Sequence, residues 1–125
     1  MFKNLFAALG LNCIIIVLLT ACGSVSNGSN PVHMSGSRFL QSSITIKKGE
    51  SITLVNDDLV GSHVIANGTW VNNTARPGRL AGAPSADNVN IGGNSSITIG
   101  PFTTAGTFQL YCTVHAGMNL TIVVQ

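Results

Sequence analysis

The chain has 125 residues, enough for one domain with a single hydrophobic core. Charged residues make up only 8% of it and hydrophobic residues 45%, a composition that excludes a charge-rich disordered protein. The net charge is +2, and the basic residues form no stripe interleaved with aromatic residues, which argues against nucleic acid as a partner.

The first 21 residues have the pattern of a signal peptide. Lys3 provides a positive start, and residues 5–19 are almost entirely apolar. An apolar segment of this length, followed at once by small and polar residues, is more typical of a cleaved signal peptide than of a membrane-spanning helix. The sequence therefore predicts export from the cytoplasm.

The end of this leader resembles a bacterial lipobox. Small residues precede Cys22 in the letters LTAC, so cleavage before Cys22 would leave a cysteine at the new N-terminus to carry the lipid. Two or more acyl chains would hold the protein stably at a membrane. We therefore expect a lipidated Cys22 and flexible tether over 22–30, and a domain over 31–125 anchored to the bacterial membrane in the periplasm or at the cell surface.

Short alternating segments predict that this domain consists of β-strands. Apolar and polar residues alternate between turn residues such as Gly, Asn, Asp and Pro, and no segment has a convincing helical pattern. Residues 67–90 contain the longest irregular stretch, predicted as a loop from 71 onward. The pattern favours an all-β fold, a Greek-key β-sandwich of about seven to eight strands. The predicted strands lie at 32–34, 42–46, 51–56, 63–66, 95–99, 106–112 and 120–124.

Cys112 is the one cysteine that remains in the predicted domain. Cys13 lies in the leader, and Cys22 is the predicted lipid site. A single thiol in an oxidising compartment has no partner for an intramolecular disulfide, so its neighbours must indicate its role.

The segment from Cys112 to Met118 combines three metal-binding side chains in seven residues: a thiol, the His115 imidazole and a thioether. A thiolate with an imidazole binds copper or zinc, and the thioether favours copper because zinc rarely accepts one. A blue-copper site needs a second histidine, for which His63 and His33 are the candidates. We favour His63, because a residue at a strand edge can face a loop at the same end of a sandwich. His33 is interpreted as structural.

These segments resemble the cupredoxin family of type 1 blue copper proteins, which includes plastocyanin and amicyanin. The resemblance rests on the letters GTFQLYCTVHAGM at 106–118 and ITIKKGESITLVNDD at 44–58, and it covers residues 31–125. The Cys-x2-His-x2-Met spacing is similar to the short amicyanin loop. The resemblance implies a single copper that cycles between Cu(I) and Cu(II). The implied ligands are His63, Cys112, His115 and Met118.

The resemblance also implies an electron carrier, not an enzyme. His115 would be the electron port, surrounded by a small apolar patch of Ala116, Gly117 and Gly61. The partners would be a redox donor and a redox acceptor that meet this monomer through a weak, transient interface. The alternative is an extracytoplasmic copper chaperone or storage protein, although such sites usually use several Met or His without an isolated thiolate.

One position departs from the family pattern. Val64 follows His63, where many cupredoxins have an Asn or Thr that ties the two ligand loops together. That link is expected either to be missing or to come from Ser62 or Asn67. Trp70 is interpreted as a packing residue and not as an electron relay.

Overall fold

The computed structural model describes residues 30–125, which form ten β-strands. The predicted signal peptide, the lipidated Cys22 and nearly all of the tether lie outside the described residues. Within the described part, no helix has the length and hydropathy needed to cross a membrane. The strands are β1 (Pro31–Ser35), β2 (Arg38–Phe39), β3 (Ser43–Ile46), β4 (Ile52–Asn56), β5 (Ser62–Val71), β6 (Thr74–Pro77), β7 (Val89–Gly92), β8 (Ser96–Ile99), β9 (Gly106–Cys112) and β10 (Asn119–Val124).

The strands form two sheets that enclose one core. The first sheet has the order β2-β1-β4-β8, and the second has the order β3-β10-β9-β5-β6, with β7 also paired to β5. Two pairs, β1 with β4 and β3 with β10, are parallel, and the other pairs are antiparallel. The predicted all-β sandwich is confirmed, with ten strands where seven or eight were expected.

Alternation along the strands places one face of each sheet in the core. In β9, Phe108, Leu110 and Cys112 are buried in a cluster that includes alternate residues of β1, β4 and β10. Burying one such side chain stabilises the fold by about 1.5–3 kcal/mol. The thiol of Cys112 therefore points inward, and packing fixes its position.

The predicted irregular stretch contains a β-hairpin that the sequence pattern did not indicate. Strand β5 continues to Val71 instead of ending at residue 66, and Val71 pairs with Thr74 of β6. Asn72 and Asn73 form the two-residue turn with positive φ angles of 49° and 58°. A two-residue hairpin turn of this type requires positive φ at both positions, which asparagine tolerates. The prediction of a loop over 71–90 is therefore wrong for residues 71–77, and also for residues 89 and 90, which begin β7.

The β5–β6 hairpin folds over the outer face of the second sheet. Strand β5 pairs with β9 only over Ile65 to Asn67, and Gly68 then turns the chain with a φ of 132°. A Cβ at Gly68 would collide with the backbone of the opposite hairpin strand and with the ring of Tyr111. Tyr111 alternates with two core residues and so lies on the outer face, yet only 4% of it is exposed.

The candidate ligands lie at one end of the sandwich, opposite the end at which β1 begins. Strands β1 and β4 are parallel, and the start of β1 is tied to the start of β4, since the Asn30 side chain donates a hydrogen bond to the Ser51 carbonyl. At the other end, Ser35 and the Gly36 amide both donate to the carboxylate of Asp58. This second end also contains the start of β5, the end of β9 and the start of β10, between which the candidate ligands lie.

Candidate metal centre

Three potential ligands converge at this end of the sandwich. His63 lies at the start of β5, and Cys112 and His115 lie at the end of β9 and in the following loop. One ligand atom of each residue lies within 4.8 Å of the others. The Cys112 Sγ is 3.3 Å from His115 Nδ1, and the two imidazole ring centroids are 5.0 Å apart. A thiol and two imidazoles in this arrangement match the in-plane donors of a blue-copper site.

One ring nitrogen of His63 is buried in surroundings that suit a metal ligand. The residue is 1% exposed, and its Nδ1 has no hydrogen-bond partner among residues 30–125. Leaving a buried polar atom unpaired costs about 1–3 kcal/mol, so such an atom needs an explanation. The Nε2 faces the Asp58 carboxylate at 3.8 Å, which favours a proton on Nε2 and leaves the Nδ1 lone pair free. The residues present therefore fit a metal bound at Nδ1.

Met118 closes the loop that starts at Cys112. Its carbonyl accepts a hydrogen bond from the Cys112 amide at 3.0 Å, and its amide donates to the His115 carbonyl at 3.2 Å. The preceding Gly117 has a φ of 78°, which allows this tight return. The Met118 side chain is buried, as expected of a thioether held at the base of the loop.

A backbone hydrogen bond joins the two ligand segments. The Thr113 amide donates to the Val64 carbonyl at 2.8 Å, so the link does not depend on the side chain after His63. Of the three alternatives, a missing link, Ser62 or Asn67, the Asn67 one is excluded, because its side chain bonds to the backbone of Pro84 and Ala86. Ser62 is exposed. A side-chain link is unnecessary here because the two strands are already paired.

Asn56 organises the segment that leads to His63, a role that its predicted place at the end of the strand 51–56 did not indicate. It is buried, and its Nδ2 lies within 3.1–3.4 Å of the carbonyls of Gly61, Ile91 and Gly92. Its Oδ1 accepts from the Asp58 amide at 3.1 Å. The sequence pattern could have indicated that Asn56 is buried, because it continues the alternation that places Ile52 and Leu54 on the inward face of β4.

His33 does not join the ligand group. Its Nδ1 lies 2.9 Å from an Asp57 carboxylate oxygen, and both side chains are substantially exposed. This pairing agrees with the interpretation of His33 as structural.

The surface around the ligands is more apolar than the sequence analysis expected. The predicted patch residues Ala116, Gly117 and Gly61 are exposed beside the half-buried His115. A cleft connects Asp58, Val60 and Gly61 with both imidazoles. Three larger exposed residues were missed in the prediction, namely Leu59, Val60 and Val114. Val60 lines the cleft with both imidazoles, Leu59 precedes Val60 in the chain, and Val114 directly precedes His115.

Comparison with known proteins agrees with this geometry. Residues 26–125 match the family of copper-binding proteins described as plastocyanin/azurin, so the chain belongs to that family. Amicyanin from Paracoccus versutus (Thiobacillus versutus) has a similar structure, with a TM-score of 0.58 and 21% identity over 77% of this chain and 80% of that chain. A reduced and an oxidised amicyanin variant each have a TM-score of 0.58 and 20% identity over 82% of this chain and 87% of theirs. No curated protein sequence matches the chain significantly.

The cofactor follows from the family together with the donor set. A plastocyanin/azurin-type domain with a thiol, two imidazoles and a thioether in one region holds a single type 1 copper. The predicted copper cofactor is therefore confirmed.

The electrostatics of the centre make it sensitive to pH. Burial lowers the pKa of His63 below its ordinary value of 6.5, and the nearby His115 lowers it further, while Asp58 acts in the opposite direction. The neutral imidazole is the form that a metal requires. The fold thus favours the ligand-competent state of His63.

We expect the metal-free protein to lose stability as the pH falls from about 7.5 to about 5.5. Because the pKa of His63 is lowered in the folded chain, the unfolded chain takes up a proton on His63 more readily as the pH falls through 6.5, so the unfolded state binds more protons. Urea unfolding across this range should show the loss, and it should be smaller in His63→Gln, which retains the other histidines. An equal pH dependence in both proteins would contradict this assignment.

Proposed function

We propose that this protein carries single electrons between redox proteins outside the cytoplasm and does not catalyse a reaction of its own. The observation that carries the proposal is the buried, unpartnered Nδ1 of His63 beside the Cys112 thiol and the His115 ring. When bound, copper supplies a one-electron couple between Cu(I) and Cu(II). This function is supported by the chain's membership of the plastocyanin/azurin family of copper-binding proteins and by its structural similarity to amicyanin.

In this proposal the chain's residues have separate roles. His63, Cys112 and His115 would hold the metal as neutral imidazoles and a thiolate, and Met118 would provide a weaker thioether donor. The hydrogen bonds of the Cys112–Met118 loop and of Asn56 keep these side chains in place, which limits rearrangement when the charge changes. Half-buried His115 is the ligand that reaches the surface and would be the electron port.

Copper binding and its ligands can be tested on the chain from residue 23 onward, which contains every described strand. We expect one equivalent of Cu(II) to produce an intense thiolate-to-copper absorption band, and Cys112→Ser and His63→Gln to abolish it. His33→Gln is the matched control and should retain the band, because His33 pairs with Asp57 away from the ligand group. Loss of the band in His33→Gln but not in His63→Gln would refute the ligand assignment. Retained Cu(I) binding in Cys112→Ser would favour the chaperone alternative.

We further propose that redox partners dock on an apolar surface around His115, called here the port surface. It consists of Val60, Val114, Ala116, Gly117 and Gly61 around the His115 edge, together with Leu59, which adjoins Val60 in the chain. Leu59 and Val60 are 84% and 85% exposed, which is unusual for two adjacent large apolar residues unless they meet a partner. A small apolar surface suits complexes that must separate quickly.

A charge on the port surface should slow electron exchange. In a half-reduced sample, two copies that meet through this surface exchange electrons at a rate measurable by NMR line broadening. Val60→Lys should reduce that rate at least about tenfold, because two like charges would face each other in the encounter. Leu80→Lys is the control, since Leu80 is exposed beside Phe108 and Gln109, further along β9 from Cys112. Equal effects of both variants would argue against docking at the port surface.

The location outside the cytoplasm and the membrane anchor at Cys22 are also proposed, on the sequence pattern LTAC at 19–22. Growth of a bacterial host with a labelled fatty acid tests the anchor. We expect label on the full chain and none on Cys22→Ser. Cys13→Ser is the matched control and should remain labelled, because Cys13 lies within the predicted leader. Labelling of Cys22→Ser would disprove lipidation at Cys22.

A further inference from the structure

We propose that Trp70 is a positioning residue for the copper-binding loop, and that it holds both ends of the segment from Cys112 to Met118 from the outer face of the sheet. The inference rests on the proposed function only for the measurements on the copper-bound protein. It concerns the β5–β6 hairpin, a part of the molecule that the proposed function does not use.

The first contact fixes the start of the loop. The indole Nε1–H of Trp70 donates to the carbonyl oxygen of Cys112 at 2.8 Å. This carbonyl belongs to the thiol-bearing residue itself, at the point where the chain leaves β9. On the inner face, Cys112 packs in the core, so the residue is held from both sides of the sheet.

The second contact fixes the residue that follows the loop. The Trp70 amide donates to Asn119 Oδ1 at 2.7 Å, and Asn119 Nδ2 donates back to the Trp70 carbonyl at 3.1 Å. Asn119 directly follows Met118 and begins β10. The asparagine side chain therefore acts as a short strand partner for Trp70, and the end of the loop is tied to the same residue as its start.

The hairpin keeps Trp70 in place. The bend at Gly68 directs the chain across the sheet, and Trp70 pairs with Ala75 of β6. The Trp70 ring meets the Tyr111 ring edge-on, with centroids 5.9 Å apart. The indole N–H and both backbone groups of Trp70 are thus all directed to Cys112 and Asn119, although the residue lies outside the hydrophobic core. A residue needed for packing alone would not require this set of hydrogen bonds.

The consequence is a loop whose two ends are held before any metal binds. Hydrogen bonds around a metal site orient the ligands and tune the metal, and they are as much a part of the site as the ligands. Inside the loop, the Cys112 and Met118 amides are already tied to the Met118 and His115 carbonyls. Trp70 adds an outer attachment, which should limit opening of that short ring of hydrogen bonds.

Trp70→Phe isolates the indole hydrogen bond, because the variant retains a ring against Tyr111 and the backbone bonds to Asn119. In the metal-free protein, we expect exchange of the Cys112 and Met118 amide hydrogens to accelerate at least about tenfold relative to the Leu120 and Ile122 amides, as more frequent local opening requires. In the copper form, the thiolate-to-copper band and the reduction potential should both shift. Asn119→Ala should have the same local effect and serves as a second variant should Trp70→Phe fold poorly.

Tyr111→Leu is the control, since it removes the ring contact and leaves all three hydrogen bonds. It should lower the melting temperature and leave the ratio of loop to core exchange rates unchanged. If Trp70→Phe and Asn119→Ala leave that ratio unchanged as well, the positioning role is overturned. If the wild-type protein binds no copper, the proposed function fails, while the exchange ratio in the metal-free protein still decides the role of Trp70.

Discussion

The rest of the structure depends on holding the buried His63 Nδ1, which has no hydrogen-bond partner among residues 30–125, next to a thiol. An unpaired buried atom such as His63 Nδ1 disfavours folding by about 1–3 kcal/mol, so the surrounding structure must offset that cost. Strand β7 pairs with the start of β5, and Asn56 binds the backbone of both segments near His63. The fold of the β-sandwich thus positions the candidate ligands before a metal binds.

The Cys112–Met118 loop illustrates how such preparation is distributed. Its inner side is fixed by the core packing of Cys112, and its base by two backbone hydrogen bonds. Its outer side carries the hydrogen bonds of Trp70. Between these fixed ends, Val114, Ala116 and Gly117 are exposed and His115 is half-buried. Within this loop, the two ends are held in place by packing and hydrogen bonds, whereas the residues between them are accessible to solvent.

Much of this arrangement follows from local sequence. Strict alternation identified most of the long strands, and the spacing of Cys112, His115 and Met118 indicated the metal, because both signals lie within a few residues. The β5–β6 hairpin was missed because its turn depends on positive φ angles at Asn72 and Asn73. From composition alone, an Asn-rich segment is predicted as an irregular loop. Val60 and Trp70 were not assigned to the site, because the contact of Val60 with the cleft at His115 and the hydrogen bond of Trp70 to Cys112 exist only after the strands pair.

The parallel pairing of β1 with β4 also determines which way the molecule would face. Asn30 is bound at the start of β4, whereas Gly36 and Asp58 border the cleft at the metal end. A chain attached to a lipid surface through Cys22 would therefore stand with its metal end pointing away from that surface. Residues 23–30 span at most about 28 Å when fully extended. If Cys22 carries the lipid as proposed, the port surface would lie at the end of the domain opposite the attachment, accessible to outward-projecting parts of membrane complexes and to freely diffusing proteins.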